Sequence, residues 1–192
     1  MRTSNAGQST LLLLDVIEFL NKRGVAYAII GAFAASFYGV IRASLDADAV
    51  ISILSPEDTA DLCLKLRFLG LNVVHRKGDR DDPIAGVINI EDRFLNRVDL
   101  LMGIRGMKHE TFLRCQQAQF LGISIKLVSI EDFIALKIFA GSPKDIGDVM
   151  GVMEVSGEKI NTDSLKDIVS QYGADCLKKL QVILKDRSDQ PI

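Results

Sequence analysis

A chain of 192 residues, 48% of them hydrophobic, can bury one sizeable core, or one domain with a small appendage. Its 23 basic and 25 acidic residues are interspersed and leave a formal charge of −2, which excludes a broad basic surface for duplex DNA. A small basic pocket for a nucleotide or an RNA end remains compatible with that balance.

With no tryptophan and 6% aromatic residues, the core must be mainly aliphatic. Cys63, Cys115 and Cys176 lie far apart, with no CxxC and no cysteine–histidine spacing for zinc, so they read as ordinary thiols of a reducing compartment. The run Leu11–Leu14 is followed within a turn by Asp15 and Glu18, too short for a signal peptide or a membrane span. The expectation is a soluble, cytoplasmic protein with no membrane partner.

Ser9 or Thr10 can cap a helix running from about Leu11 to Arg23 and stopped by Gly24, with Leu12, Val16, Phe19 and Leu20 on one face. A short strand over 26–30 breaks at Gly31 into an apolar helical segment ending at Gly39, and a second strand covers 45–53. Ser55-Pro56-Glu57 opens a helix to Gly70, with proline at its first position. A short strand over 72–75 and a charged loop from Lys77 to Pro83 follow. Ile84–Ile90 and Asn96–Met102 read as strands joined by a turn at 91–93. In the second, Val98, Leu100 and Met102 share one face while Arg97, Asp99 and Leu101 share the other.

Ile123–Val128 is a further strand. Ser129-Ile130-Glu131-Asp132 is a capping-box-like start for a helix to Ala140. Gly141-Ser142-Pro143 breaks that helix and Lys144 begins another into the 150s. Two short amphipathic helices, 164–172 and 174–185, are divided by Gly173, and 188–192 is expected to fray. The organisation expected is a core over 1–129 and a helical region over 130–192 packed on it.

The chemistry concentrates between Gly31 and Asp48. Successive strand residues face opposite ways, so Asp46 and Asp48 point to the same side, a few ångström apart. Two carboxylates that close repel, and one stays protonated unless a cation lies between them. With Asp99 on another strand, they make the three-carboxylate set that a two-metal phosphoryl or nucleotidyl transfer needs. Magnesium suits such a site because it prefers oxygen ligands and keeps part of its water. Gly31 supplies a tight turn whose following backbone N–H groups can hold phosphate oxygens, and Arg42 and Ser44 can donate further hydrogen bonds. Asp-x-Asp alone is common, as is a solvated strand aspartate such as Asp99. Glu91 and Asp92 are rivals for the third carboxylate, but they fall in a turn. His75 and His109 have no partner in view and read as bystanders.

Gly31-Ala32, a step to Gly39, then Arg42-Ala-Ser44-Leu-Asp46-Ala-Asp48 resembles the signature of the DNA polymerase β-type nucleotidyltransferase superfamily, within it the AbiEii-like and minimal nucleotidyltransferases often found in toxin–antitoxin systems. Val98-Asp99-Leu100-Leu101 is similar to the segment carrying the family's third metal carboxylate. Lys137 and Lys144-Asp145-Ile-Gly-Asp148 look like the helical part of AbiEii-like proteins, near the nucleotide side of the cleft. The resemblance covers roughly residues 10–155. It implies an α+β nucleotidyltransferase fold, a short mixed twisted β-sheet flanked by helices with a helical C-terminal part.

It also implies a Mg²⁺- or Mn²⁺-dependent enzyme that moves NMP from an NTP to an RNA 3′ end, a protein or a small-molecule hydroxyl, with a cognate antitoxin as partner. Asp46, Asp48 and Asp99 would be its metal and catalytic residues. Gly31, Ala32, Arg42, Ser44, Lys137, Lys144, Asp145 and Asp148 would bind the nucleotide. Two residues depart from the pattern. Ala32 replaces the second glycine or serine of the turn, which would cost on the order of 1–2 kcal/mol if the position were left-handed. Ser142 stands where many relatives carry arginine. The alternative is therefore a catalytically weakened nucleotide-binding or interaction module of the same fold. For Lys137, Asp145 and Asp148 the competing reading is a snorkelling lysine with two first-turn acids as its partners.

Overall fold

The computed structural model describes residues 1–52 and 55–188. Helix α1 (Ser9–Lys22) buries Leu12, Leu13, Val16, Ile17 and Leu20. Its start corrects the sequence expectation, because Gln8 occupies the N-cap position and no side chain caps the helix. The Ser9 hydroxyl is used across the fold instead. It donates to the Leu45 carbonyl and accepts the Arg97 backbone N–H at 3.0 Å. Strand ends leave backbone groups that must find partners when buried, and a serine at a helix start can meet two of them.

The chain continues through β1 (Tyr27–Ile29), α2 (Gly31–Phe37), β2 (Asp46–Ile51) and α3 (Pro56–Phe68). Ser55 caps α3 by accepting the Asp58 N–H at 3.0 Å, with Pro56 in the first turn as expected. Strands β3 (Asn72–Lys77), β4 (Ile84–Glu91) and β5 (Arg97–Ile104) follow. Ile53, the expected end of the second strand, and residues 189–192 of the tail 188–192 expected to fray lie outside the described residues, while Ser188 is the last residue of a helix.

Two elements were not legible beforehand, the one-turn helix α4 (Glu110–Leu113) and strand β6 (Gln116–Phe120), which pairs antiparallel with β7 (Ile123–Leu127). Strand β6 reads Gln-Gln-Ala-Gln-Phe and forms the edge of the sheet, where only Ala118 and Phe120 turn half-buried toward the core, an alternation too short and too polar to be read from the sequence. Its turn is carried by Leu121 at φ 49° and Gly122 at φ 77°, the two left-handed residues of a tight hairpin.

The strands form one mixed sheet in the order β3-β4-β5-β2-β1-β7-β6. Strand β2 runs parallel to β5 and β1 parallel to β7, while the other neighbours are antiparallel. Ala47, Ala49, Val98 and Leu100 are buried on the face against which α1 packs. Their neighbours Asp46, Asp48 and Asp99 therefore share the opposite face. Helices α5 (Ile130–Ala140), α6 (Pro143–Ser156), α7 (Thr162–Ser170) and α8 (Ala174–Ser188) complete the chain, with α5 packed on the other three. The apolar core is continuous from Leu12 to Ile183.

Ser129 caps α5 by accepting the Asp132 N–H at 3.0 Å. The full capping box lies one helix later, where Ser142 accepts the Asp145 N–H at 3.2 Å and Asp145 accepts the Ser142 N–H at 3.2 Å. Asp132 is fully buried and turned to the Ser129 hydroxyl, Thr111 and Arg114. Cys63, Cys115 and Cys176 are free thiols. Among the described residues no helix is long and apolar enough to cross a membrane.

Candidate active site

The parallel pairing of β2 with β5 sets Asp48 opposite Asp99 and Asp46 opposite Arg97. The antiparallel pairing of β5 with β4 sets Asn89 opposite Asp99. Three carboxylates thus gather on one sheet face. Gly31 closes it from the side, with φ +65°, and a Cβ there would lie 2.2 Å from Asp48 Oδ2. Glycine is required twice over, for the left-handed turn and for the approach of the carboxylate to the backbone.

Burial, then the neighbouring charges of Asp99 and Asp46, push the Asp48 carboxyl up to about 6, against the opposing pull of Lys137 and Arg42. That is the behaviour expected of crowded carboxylates with no cation between them. Asp46 Oδ1 is buried without a hydrogen-bond partner. Asp99 Oδ1 accepts Asn89 Nδ2 at 2.7 Å. An all-oxygen donor set with one orphaned carboxylate oxygen and one carboxyl driven toward protonation fits a hard divalent ion. Among the described residues, no three His, Cys, Asp or Glu side chains stand close enough to form a ready-made ion site.

Ala32 is buried in the first turn of α2 and is not among the left-handed residues, so the backbone strain considered for it does not arise. Its methyl lines the first of three clefts that meet at the aspartates. This cleft, of about 500 Å³, also takes in Phe33, Ser36, Arg42, Ser44 and Asp46. The second, of about 480 Å³, is largely apolar and holds Gly31, Asp48, Lys137 and Asp145. The third, of about 340 Å³, holds Asp46, Asn89, Asp99, Arg76 and Arg97.

Arg42 turns away from solvent, with Nε 3.2 Å from Asp148 Oδ1. Lys137 Nζ lies 2.8 Å from Asp148 Oδ2 and 2.7 Å from Asp145 Oδ1. The chain of alternating charge Arg42–Asp148–Lys137–Asp145 joins the loop before β2 to α5 and α6. Both acids expected at the nucleotide are spent on these cations. The Lys137 ion pair and the Ser142 cap together hold the Asp145 carboxyl below the usual carboxylate range, although burial opposes them. Ser142 is committed to starting α6. Lys144 is exposed in the first turn of α6 and lines none of the three clefts.

Sequence reading missed Asn89, Arg76 and Ser9. Asn89 could have been found by pairing the two predicted strands, since it is the one uncharged polar residue of Ile84–Glu91 and falls opposite Asp99. Arg76 lies on a neighbouring strand whose register no local pattern announces.

No protein-family model matches the chain, and no curated protein matches it by sequence. Solved structures do match. ANT(2″)-Ia, in a crystal structure with adenylyl-2″-tobramycin, superposes with a TM-score of 0.57 at 16% identity over 86% of this chain and 96% of that one. An antigenic nucleotidyltransferase-like protein from Paracoccidioides brasiliensis gives 0.55 at 18% identity over 95% of each chain. The lincosamide antibiotic adenylyltransferase LnuA, lincomycin-bound, gives 0.51 at 11% identity over 80% of this chain and all of that one. The fold is that of the nucleotidyltransferases. At these identities the likeness concerns the fold, and the α+β architecture expected from the sequence is borne out.

Proposed function

We propose that the protein transfers a nucleoside monophosphate from an NTP to a hydroxyl acceptor. The observation that carries this reading is the packing of the Gly31 turn against Asp48, beside Asp46 and Asp99 on one face of adjacent parallel strands. Asp46 and Asp48 would hold Mg²⁺ or Mn²⁺, with Asp99 completing the set. When bound, such ions neutralise phosphate charge and align the attacking and leaving oxygens.

The chain's own groups supply the rest. Ser44 is exposed at the first cleft and free to donate to a phosphate oxygen. Lys137 and Arg42, anchored by Asp148, keep positive charge near the carboxylates. Asn89 fixes Asp99 through Oδ1, leaving Oδ2 to take the proton of the acceptor hydroxyl. The acceptor oxygen, having given its proton to Asp99, bonds to the α-phosphorus as the bond to the β-phosphate oxygen breaks, and pyrophosphate leaves. The division into a core over 1–129 and a helical region over 130–192 belongs to this reading, since the carboxylates come from the first and Lys137 with its partners from the second. The AbiEii-like resemblance adds a cytoplasmic toxin–antitoxin setting, with a cognate antitoxin as partner.

The two departures that motivated a weakened module are accounted for locally, Ala32 as an ordinary helical residue and Ser142 as a helix cap. The test is a panel of α-labelled NTPs with Mg²⁺ and Mn²⁺, read as pyrophosphate release and label transfer. Wild-type activity that Asp46→Asn abolishes is the expected result. Equal turnover in the variant, or nucleotide binding with no pyrophosphate released, rejects the assignment.

A further inference from the structure

The three clefts differ in the cations they leave available. Arg42 in the first meets buried Asp148 through Nε and has a side chain only 20% exposed, against 59% for Arg97 in the third, and Lys137 in the second is held by Asp145 and Asp148. The third crosses the sheet face from β2 through β5 and β4 to β3, and its cations are placed differently. Arg76, exposed on β3, has no ion-pair partner among the described residues. Arg97 meets Glu91 through Nε, at 2.9 Å, which leaves both Nη groups for a ligand. The exposed Arg76 guanidinium and the two Nη groups of Arg97 line one polar cleft and suit phosphate, which they can grip through paired N–H donors.

Hydrogen-bond acceptors wait in the same cleft. A carboxylate only accepts, so Asn89 must turn its Nδ2 to Asp99, and its Oδ1 is left buried with no partner. That amide oxygen calls for a donor such as a sugar hydroxyl. Strand β3 lies two strand spacings, about 10 Å, from β5, and the register sets Arg76 level with Leu101, on the other side of Asp99 from Arg97. A sugar-phosphate unit whose hydroxyl meets Asp99 reaches Arg76 once the length of that side chain is counted.

We propose that this third cleft takes the acceptor, and that the acceptor is a hydroxyl compound carrying a phosphate one sugar unit away, bound by Arg76 and Arg97. The assignment rests on the transfer reading above. With Asp46 and Asp99 given to metal and Glu91 to Arg97, a polycation such as tobramycin meets the repulsion of the two guanidinium groups. A free sugar phosphate and the end of a nucleic acid strand share this chemistry.

The experiment is calorimetry on the full chain without NTP, using ribose, ribose 5-phosphate, a short single-stranded RNA and tobramycin as probes. Wild type, Arg76→Glu and Arg97→Gln are compared, and Mg²⁺–ATP binding is measured separately on each. Arg76 is exposed, so its variant should fold, and a melting curve checks this. A phosphate-bearing probe should bind more tightly than ribose or tobramycin and lose at least about tenfold in Arg76→Glu, with nucleotide binding unchanged. RNA alone, or ribose 5-phosphate as well, then tells which source the cleft accepts. Equal or absent binding of ribose and both phosphate probes overturns the proposal, as does indifference to Arg76→Glu. Loss of Mg²⁺–ATP binding in that variant overturns it too, by giving the arginines to the nucleotide. Intact probe binding in a protein that never releases pyrophosphate removes the transfer reading alone.

Discussion

Asp48→Asn should make the metal-free protein more stable. The Asp48 carboxyl is half-buried, faces Asp99 and Asp46, and titrates at about 6 in place of 3.8. That displacement corresponds to about 3 kcal/mol set against the charged form in the folded state. Solvent and counter-ions reach a half-buried group, so a gain on the order of 1–2 kcal/mol is expected for the neutral isostere. For a chain of this size that raises the melting temperature by roughly 3–6 °C. The pH dependence has a definite sign. Because the folded value is raised, the folded state holds the extra proton between about pH 3.8 and 6, so wild-type stability falls across that window and stays lost above it. The advantage of Asp48→Asn should therefore open between those values and level off. Differential scanning calorimetry in metal-free buffer from pH 4 to 8 measures it. Millimolar Mg²⁺ should then raise wild type and leave the variant where it was, since a ligand stabilises only the state it binds. A variant no more stable than wild type at pH 8 would falsify the argument from burial and like-charge crowding.

Gly31→Ala combines a left-handed backbone with a Cβ placed 2.2 Å from Asp48 Oδ2, so stability should fall by about 2 kcal/mol or more, and the Mg²⁺-dependent rise in melting temperature should vanish. Retention of both in a denaturant titration with and without Mg²⁺ would show that the turn is not tied to the carboxylate. Ala32→Gly, the change toward the family pattern, should cost about 1 kcal/mol in the same titration and leave nucleotide affinity unaltered, because the position is an ordinary helical one. Lys137→Met strands Asp145 and the buried Asp148, which keeps only Arg42, and a loss near 3 kcal/mol is expected by thermal melting. A change below about 1 kcal/mol would mean that the ion chain contributes little to holding α5 and α6 on the sheet.

The sequence alone determined the elements whose signals are local. Proline after serine marked α3, and Gly141-Ser142-Pro143 marked the break between α5 and α6. Alternation on β5 put Asp99 on a face apart from Val98 and Leu100, and alternation on β2 paired Asp46 with Asp48. Period-two geometry needs no partner to be read, which is why the carboxylates and Gly31 were visible before any fold was known. The tertiary structure decided what depends on register and on buried polar groups finding partners. It turned Ser9 from a helix cap into the tie between the starts of β2 and β5, and gave Asp145 and Asp148 to Lys137 and Arg42. It also brought Asn89 and Arg76, from strands paired at a distance, into the cleft that Asp99 faces. Hydrogen-bond and ion-pair partners far apart in sequence are chosen by sheet order and helix packing, and no window along the chain contains that choice.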